Sequence, residues 1–213
     1  MNSYADALES YLIPAEEGFT DKVKSAVSKV LEVINKLIEK IKSFISWLKT
    51  KLSKSEASES ADYSSSLQSN IKEMIYAIRD EVDMCRGCCT LIKTPYKDIN
   101  NNFETFNEAA EKVEEFRDNI YENIRMGKRI MPKDVTAYIS ALEHEARSLG
   151  EIHRDAKSLQ NMDVDAEKVF RLTGMVMKLS SHINMSMNII REACVVNVIT
   201  PSKYYTQRPD IEK

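Results

Sequence analysis

From Thr20 to about Lys54 the apolar residues advance in steps of three and four without a break: Val23, Val27, Val30, Leu31, Ile34, Leu37, Ile38, Ile41, Phe44, Ile45, Leu48 and Leu52. That spacing places them along one side of an α-helix and does not fit the alternation of a half-buried strand. Between them stand Lys22, Lys24, Lys29, Lys36, Lys40, Lys42, Lys49, Lys51 and Lys54, against Asp21, Glu32 and Glu39. The stretch reads as one long, basic, amphipathic helix that carries the single tryptophan, Trp47. Its apolar face has to be covered, and what covers it decides what the chain can do.

The rest of the chain repeats the same period. Leu67, Ile71, Met74, Ile75, Ile78, Val82, Cys85 and Cys89 predict a second helix; Ile99, Phe103, Phe106, Ala110, Val113, Ile120 and Ile124 a third. Val135 to Leu159 predict a fourth, opened by Pro132, and Val169 to Val198 a fifth, stopped by Thr200–Pro201. With only 5 Gly and 5 Pro in 213 residues, the tight turns of a β-rich fold are not available. Residues 53–66 (SKSEASESADYSSS) have the composition of a flexible tether. The expectation is an all-α protein in five parts. A leader occupies 1–19, a basic amphipathic helix 20–54, and a Ser-rich linker 55–66. An antiparallel up-down four-helix bundle fills 67–199, and a disordered tail runs from 200 to 213.

Charge follows this division. Residues 20–54 carry nine Lys against three acids, while the whole chain is at −3, which leaves about −9 on the remainder. A basic element on an acidic body argues against a chain that binds nucleic acid over its whole surface, and any such contact is not expected to be sequence-specific. The first ten residues lack the basic start and apolar run of a signal peptide, and no apolar stretch approaches transmembrane length.

No recognisable catalytic machinery emerges, so a non-enzymatic protein with no cofactor and no small-molecule substrate is expected. Cys85, Cys88 and Cys89 are the best metal candidates, but structural zinc wants four ligands and no second Cys/His pair has the usual spacing. Two of the three fall on the apolar stripe, where cysteine serves as a small hydrophobe. The Glu143–His144–Glu145 run lacks the Glu-x-x-His spacing of a di-iron bundle and reads as a solvated face. Met175, Met177, Met185 and Met187 read as soft packing around helix five, with only Met187 on its apolar stripe.

The basic helix itself has four candidate coverings: its own acidic bundle, another protein or a second copy, an anionic membrane surface, or nucleic acid phosphates. If a partner takes it, the contact residues are Lys36, Lys40, Ile41, Phe44, Ile45, Trp47, Leu48 and Lys51.

Directly before this helix stands Leu12-Ile13-Pro14-Ala15-Glu16-Glu17-Gly18-Phe19. This junction resembles the start of internal or core head proteins of large tailed bacteriophages, which the prohead maturation protease cuts after a Glu two residues beyond a small or aliphatic one. The resemblance implies Ala15 as the small residue, Glu17 as the residue before the cut and Gly18 as the new N-terminus. It implies a head-associated virion structural protein, whose partners are other virion proteins or further copies of itself. The same triplet pattern occurs at Ala7-Leu8-Glu9, Ala57-Ser58-Glu59, Ala109-Ala110-Glu111 and Ala141-Leu142-Glu143. The alternative class is an adapter or inhibitor in the host cytoplasm, binding a host protein or membrane through the basic helix.

Overall fold

The computed structural model describes residues 19–52, 62–94, 97–162 and 164–194. Among them the chain forms five helices: α1 Phe19–Leu52, α2 Ser65–Ile92, α3 Asn100–Arg125, α4 Pro132–Leu159 and α5 Ala166–Cys194. The described residues contain no strand, only an isolated bridge between Tyr63 and Arg129. The all-helical class therefore matches the period of the sequence. None of these helices is long and apolar enough to cross a membrane.

The division of the chain differs from the expected one. α1 packs against α4 and α5, α2 packs against the same two helices, and these four close a ring. α3 lies outside it, against α2 and α5. Of the helices consecutive in sequence, only α2 and α3 are major packing partners among the described residues. The basic helix is thus a wall of the central bundle, and the four-helix bundle is not confined to 67–199. The physical reason is area: Val27, Val30, Ile34, Leu37, Ile41 and Leu48 are all at most 1% exposed. Removing each such side chain from water contributes about 1.5–3 kcal/mol. A detached α1 would forfeit that burial along its full length.

Cross-helix contacts give the directions. Ser28 meets Gln160 and Lys49 meets Glu143, so α1 runs antiparallel to α4. Lys40 meets Asn184 while Phe44 and Trp47 lie under Arg191, so α1 runs parallel to α5. The α2–α4 pair is parallel, through Gln68 with Tyr138, Arg79 with Glu145 and Lys93 with Asp155. The α2–α5 pair is antiparallel, through Glu81 with His182 and Cys88 with Met175.

Local chemistry sets the ends. Ser64 is extended and its side chain accepts from the Leu67 amide at 3.2 Å, a standard N-cap. The serine run read as linker to residue 66 therefore ends in a helix cap, and residues 53–61 lie outside the described part. α3 ends at Gly127, whose φ of +83° suits a residue without Cβ. The chain then returns beside the start of α2, where the Arg129 amide donates to the Asp62 carbonyl at 2.9 Å and the Ser64 amide to the Arg129 carbonyl at 3.0 Å. Pro132 opens α4 in its first turn, where its missing N–H costs nothing. α5 touches three other helices and is buried on most sides, with Met175 at 0% exposure as well as Met187 at 6%. Met175 is therefore core and does not merely flank the stripe. The leader 1–18 and the tail from 195 lie outside the described residues.

Because α1 is part of the core, Ile41→Ala should lower the unfolding free energy by about 2–5 kcal/mol. Lys36→Ala, on the solvent side of the same helix, should change it by no more than about 0.5 kcal/mol. Urea unfolding monitored by circular dichroism checks both; a silent Ile41→Ala would mean that α1 does not pack as described.

Candidate functional site

The cysteines singled out from the sequence come together on one helix, with no further His, Cys, Asp or Glu among the described residues placed to complete a metal site with them. Cys85, Cys88 and Cys89 each have 0% exposure on the inner side of α2. Burial drives all three thiols up, Cys85 well above its ordinary value, Cys88 to about 11 and Cys89 to about 12. A thiol held in its protonated form by burial is a poor nucleophile. Cys88 Sγ instead lies 3.7 Å from Met175 Sδ, a packing contact between α2 and α5. Among the described residues no group of three or more His, Cys, Asp or Glu is placed to hold a metal ion.

The most unusual chemistry lies one turn away, in residues that the sequence did not single out. Glu81 of α2 is fully buried, and its Oε1 sits 2.6 Å from Nδ1 of His182 on α5, itself 2% exposed. The other ring nitrogen, Nε2, sits 3.1 Å from Oε1 of Glu114 on α3. Glu114 is half-exposed and pairs with Arg117 one turn on. One imidazole thus joins three helices through two carboxylates. The two carboxylates approach opposite ring nitrogens, so they cannot converge on a shared metal ion. Burial is the main influence on Glu81 and raises its pKa, against the opposing pull of His182 and Lys178. Its second oxygen, Oε2, is buried without a hydrogen-bond partner. A pattern of apolar periodicity could not reveal this trio, because Glu81 and His182 are 101 positions apart and each reads alone as a helix-surface residue.

A second buried carboxylate lies on α4. Glu145 is 2% exposed, contrary to the reading of 143–145 as a solvated face. Burial raises its pKa, while Arg79 of α2 at 3.1 Å and the neighbouring His144 oppose that shift. Glu143 does face solvent, where Lys49 holds its carboxyl below the usual range.

The expected partner-binding residues of α1 divide into two groups. Ile41, Phe44, Ile45 and Leu48 are buried, and of the four only Phe44 reaches a cavity between α1 and α5. Lys36, Lys40 and Lys51 lie outside the core, and Trp47 is partly buried against it. Lys36 pairs with Glu32 along the helix. Lys40 reaches across to Asn184 Oδ1 at 3.3 Å. Phe44 and Trp47 stack at 5.6 Å between centroids, and the Arg191 guanidinium covers both rings at 5.5 and 5.4 Å. Lys51 Nζ stands 6.0 Å from the Trp47 ring. Lys40, Phe44, Trp47, Asn184 and Arg191, together with Ser43, Met187 and Asn188, line this cavity of about 320 Å³ between α1 and α5, and Lys36 and Lys51 are not part of its lining. Arg191, Asn184 and Asn188 were not foreseen, since they sit some 140 positions away from α1 in sequence. The processing residues Ala15, Glu17 and Gly18 lie outside the described residues.

Two outcomes test this description. The three α2 thiols should resist a thiol reagent such as DTNB in the native protein and react together on unfolding. Burial keeps the Glu81 proton bound to higher pH in the folded than in the unfolded chain, so this group's contribution to stability falls as pH rises above the ordinary glutamate value of 4.5. Glu81→Gln should flatten that fall, read from urea midpoints across pH 4–7. His182→Ala, which strands the buried carboxylate, should destabilise the fold by about 3–5 kcal/mol at neutral pH.

No protein-family model, curated protein or solved structure matches this chain, so the geometry of the site stands without a relative to compare it with.

Proposed function

We propose that this chain is a non-enzymatic structural protein of a tailed-bacteriophage virion, packaged in the head and processed after Glu17. The observation that carries the reading is the position of the motif relative to the fold. In sequence, the bond after Glu17 lies N-terminal to Phe19, where α1 begins, so a cut there leaves every described helix uncut. A processing protease needs an extended backbone that it can surround, and a hydrogen-bonded helical segment does not offer one. Two other matches to the same triplet lie inside α3 and α4, where Ala109, Ala110 and Leu142 are 3%, 0% and 4% exposed. Removal of the leader would leave α1, and with it the ring of four helices, whole.

The non-enzymatic part of the reading rests on the chemistry of the polar groups. The thiols are driven to high pKa by burial, and the Glu81–His182–Glu114 trio joins helices within the core. A body of this kind suits a packaged or scaffold-like role. The rival reading, an adapter that lays the apolar stripe of α1 on a host protein or membrane, demands that Ile34, Leu37, Ile41 and Leu48 leave the core first.

Intact-mass analysis of mature particles should find the chain beginning at Gly18, and co-expression with the cognate prohead protease should give the same product. Glu17→Ala should leave the leader attached in both settings. Mature particles that carry the chain from Met1, or that lack it, would overturn the proposal.

A further inference from the structure

The lysines of α1 are not equivalent once the helix is docked. Lys36, Lys42 and Lys49 are each matched by a carboxylate, from Glu32, Glu39 and Glu143. Lys40 and Arg191 are held differently. Lys40 Nζ is oriented by Asn184 Oδ1 at 3.3 Å and Arg191 Nη1 by Asn188 Oδ1 at 3.4 Å. Both partners are neutral amide oxygens, and Arg191 rests on the faces of Phe44 and Trp47. Among the described residues no carboxylate forms an ion pair with Lys40, Lys51 or Arg191, and none lines the cavity between them. Such an arrangement places Lys40 and Arg191 in one groove, with Lys51 beside the Trp47 ring, without cancelling their charge.

From these contacts we infer that the α1–α5 groove is a subsite for the phosphodiester backbone of duplex DNA, bound without regard to sequence. Arg and Lys are the usual partners of backbone phosphates, and the supporting polar side chains fix their positions. A polyanion fits better than a small anion because the cationic edge continues beyond the groove. At 3.6 residues per turn, Lys22, Lys29, Lys40 and Lys51 fall within about 40° of arc on the α5 side of α1, over a rise of about 43 Å. A membrane surface fits less well, since interfacial helices insert an apolar face and that of α1 is already in the core. The inference uses no part of the virion reading: a chain never cut after Glu17 could still bind DNA here, and a processed chain could fail to.

Trp47 is the single tryptophan and stands beneath Arg191 in the groove, so its emission is a local probe. A random-sequence duplex of about 30 base pairs, titrated into the full chain at about 50 mM NaCl, should produce a saturable change in Trp47 emission that added salt reverses. Lys40→Gln with Lys51→Gln, which keeps the ring stack intact, should weaken binding at least tenfold and make the log–log salt slope shallower by about 2. Lys40→Gln with Arg191→Gln should do the same, with folding checked by circular dichroism. Lys42→Gln with Lys49→Gln, on the opposite edge of the helix, should leave affinity within about twofold. No binding at low salt, binding insensitive to the groove variants, or preferential binding to phosphatidylserine vesicles or to a second copy of the chain would overturn the inference.

Discussion

The burial of one stripe of α1 between α4 and α5 is the contact on which the rest of the structure depends. α4 and α5 are not major partners of each other, and neither are α1 and α2. Each of these pairs is held in place by the other. Take α1 away and Met187, which lines the same cavity as Phe44 and Trp47, loses part of the packing that keeps it at 6% exposure. A ring of four helices with a fifth outside it also explains why α5 is the most enclosed element, since it serves both the ring and α3.

This docking sorts the charges as well as the apolar groups. Lysine stems run along the border between α1 and its neighbours while their ammonium groups reach water, the usual compromise of a long cationic side chain. On the α4 side the border is neutralised, as by Lys49 with Glu143. On the α5 side it is not, because α5 presents Asn184, Asn188 and Arg191 there. The difference between the two borders comes from the partner helix, and it converts an evenly basic helix into one with a directional cationic groove.

The core is not purely apolar, and its polar members have a different effect. Glu81, His182 and Glu114 contribute less to net stability than hydrophobic residues of the same volume would, given the desolvation of a carboxylate with an unpaired oxygen. What they impose is register. A shift of α2 or α5 by one residue would strand the buried Glu81 carboxylate, so the Glu81–His182 pair penalises misalignments that interchangeable Leu and Ile contacts would tolerate. Cys88 against Met175, farther along the same two helices, is a soft contact by comparison.

Sequence alone determined the helices: the three-and-four period of Val23 to Leu52 and of the four later segments, and Pro132 at the start of α4, are local signals, and local backbone physics reads them directly. It also supplies the Ala15-Glu16-Glu17-Gly18 run on which the proposed processing rests, which is a matter of adjacent residues. What it could not determine is which apolar faces meet, because a stripe of Val, Ile and Leu fits a neighbouring helix, a second copy or a foreign groove equally well. That choice is made by long-range packing. So the membership of α1 in the core, the burial of Glu145, the Glu81–His182–Glu114 trio and the pairing of Lys40 and Trp47 with Asn184 and Arg191 were decided only by the tertiary structure.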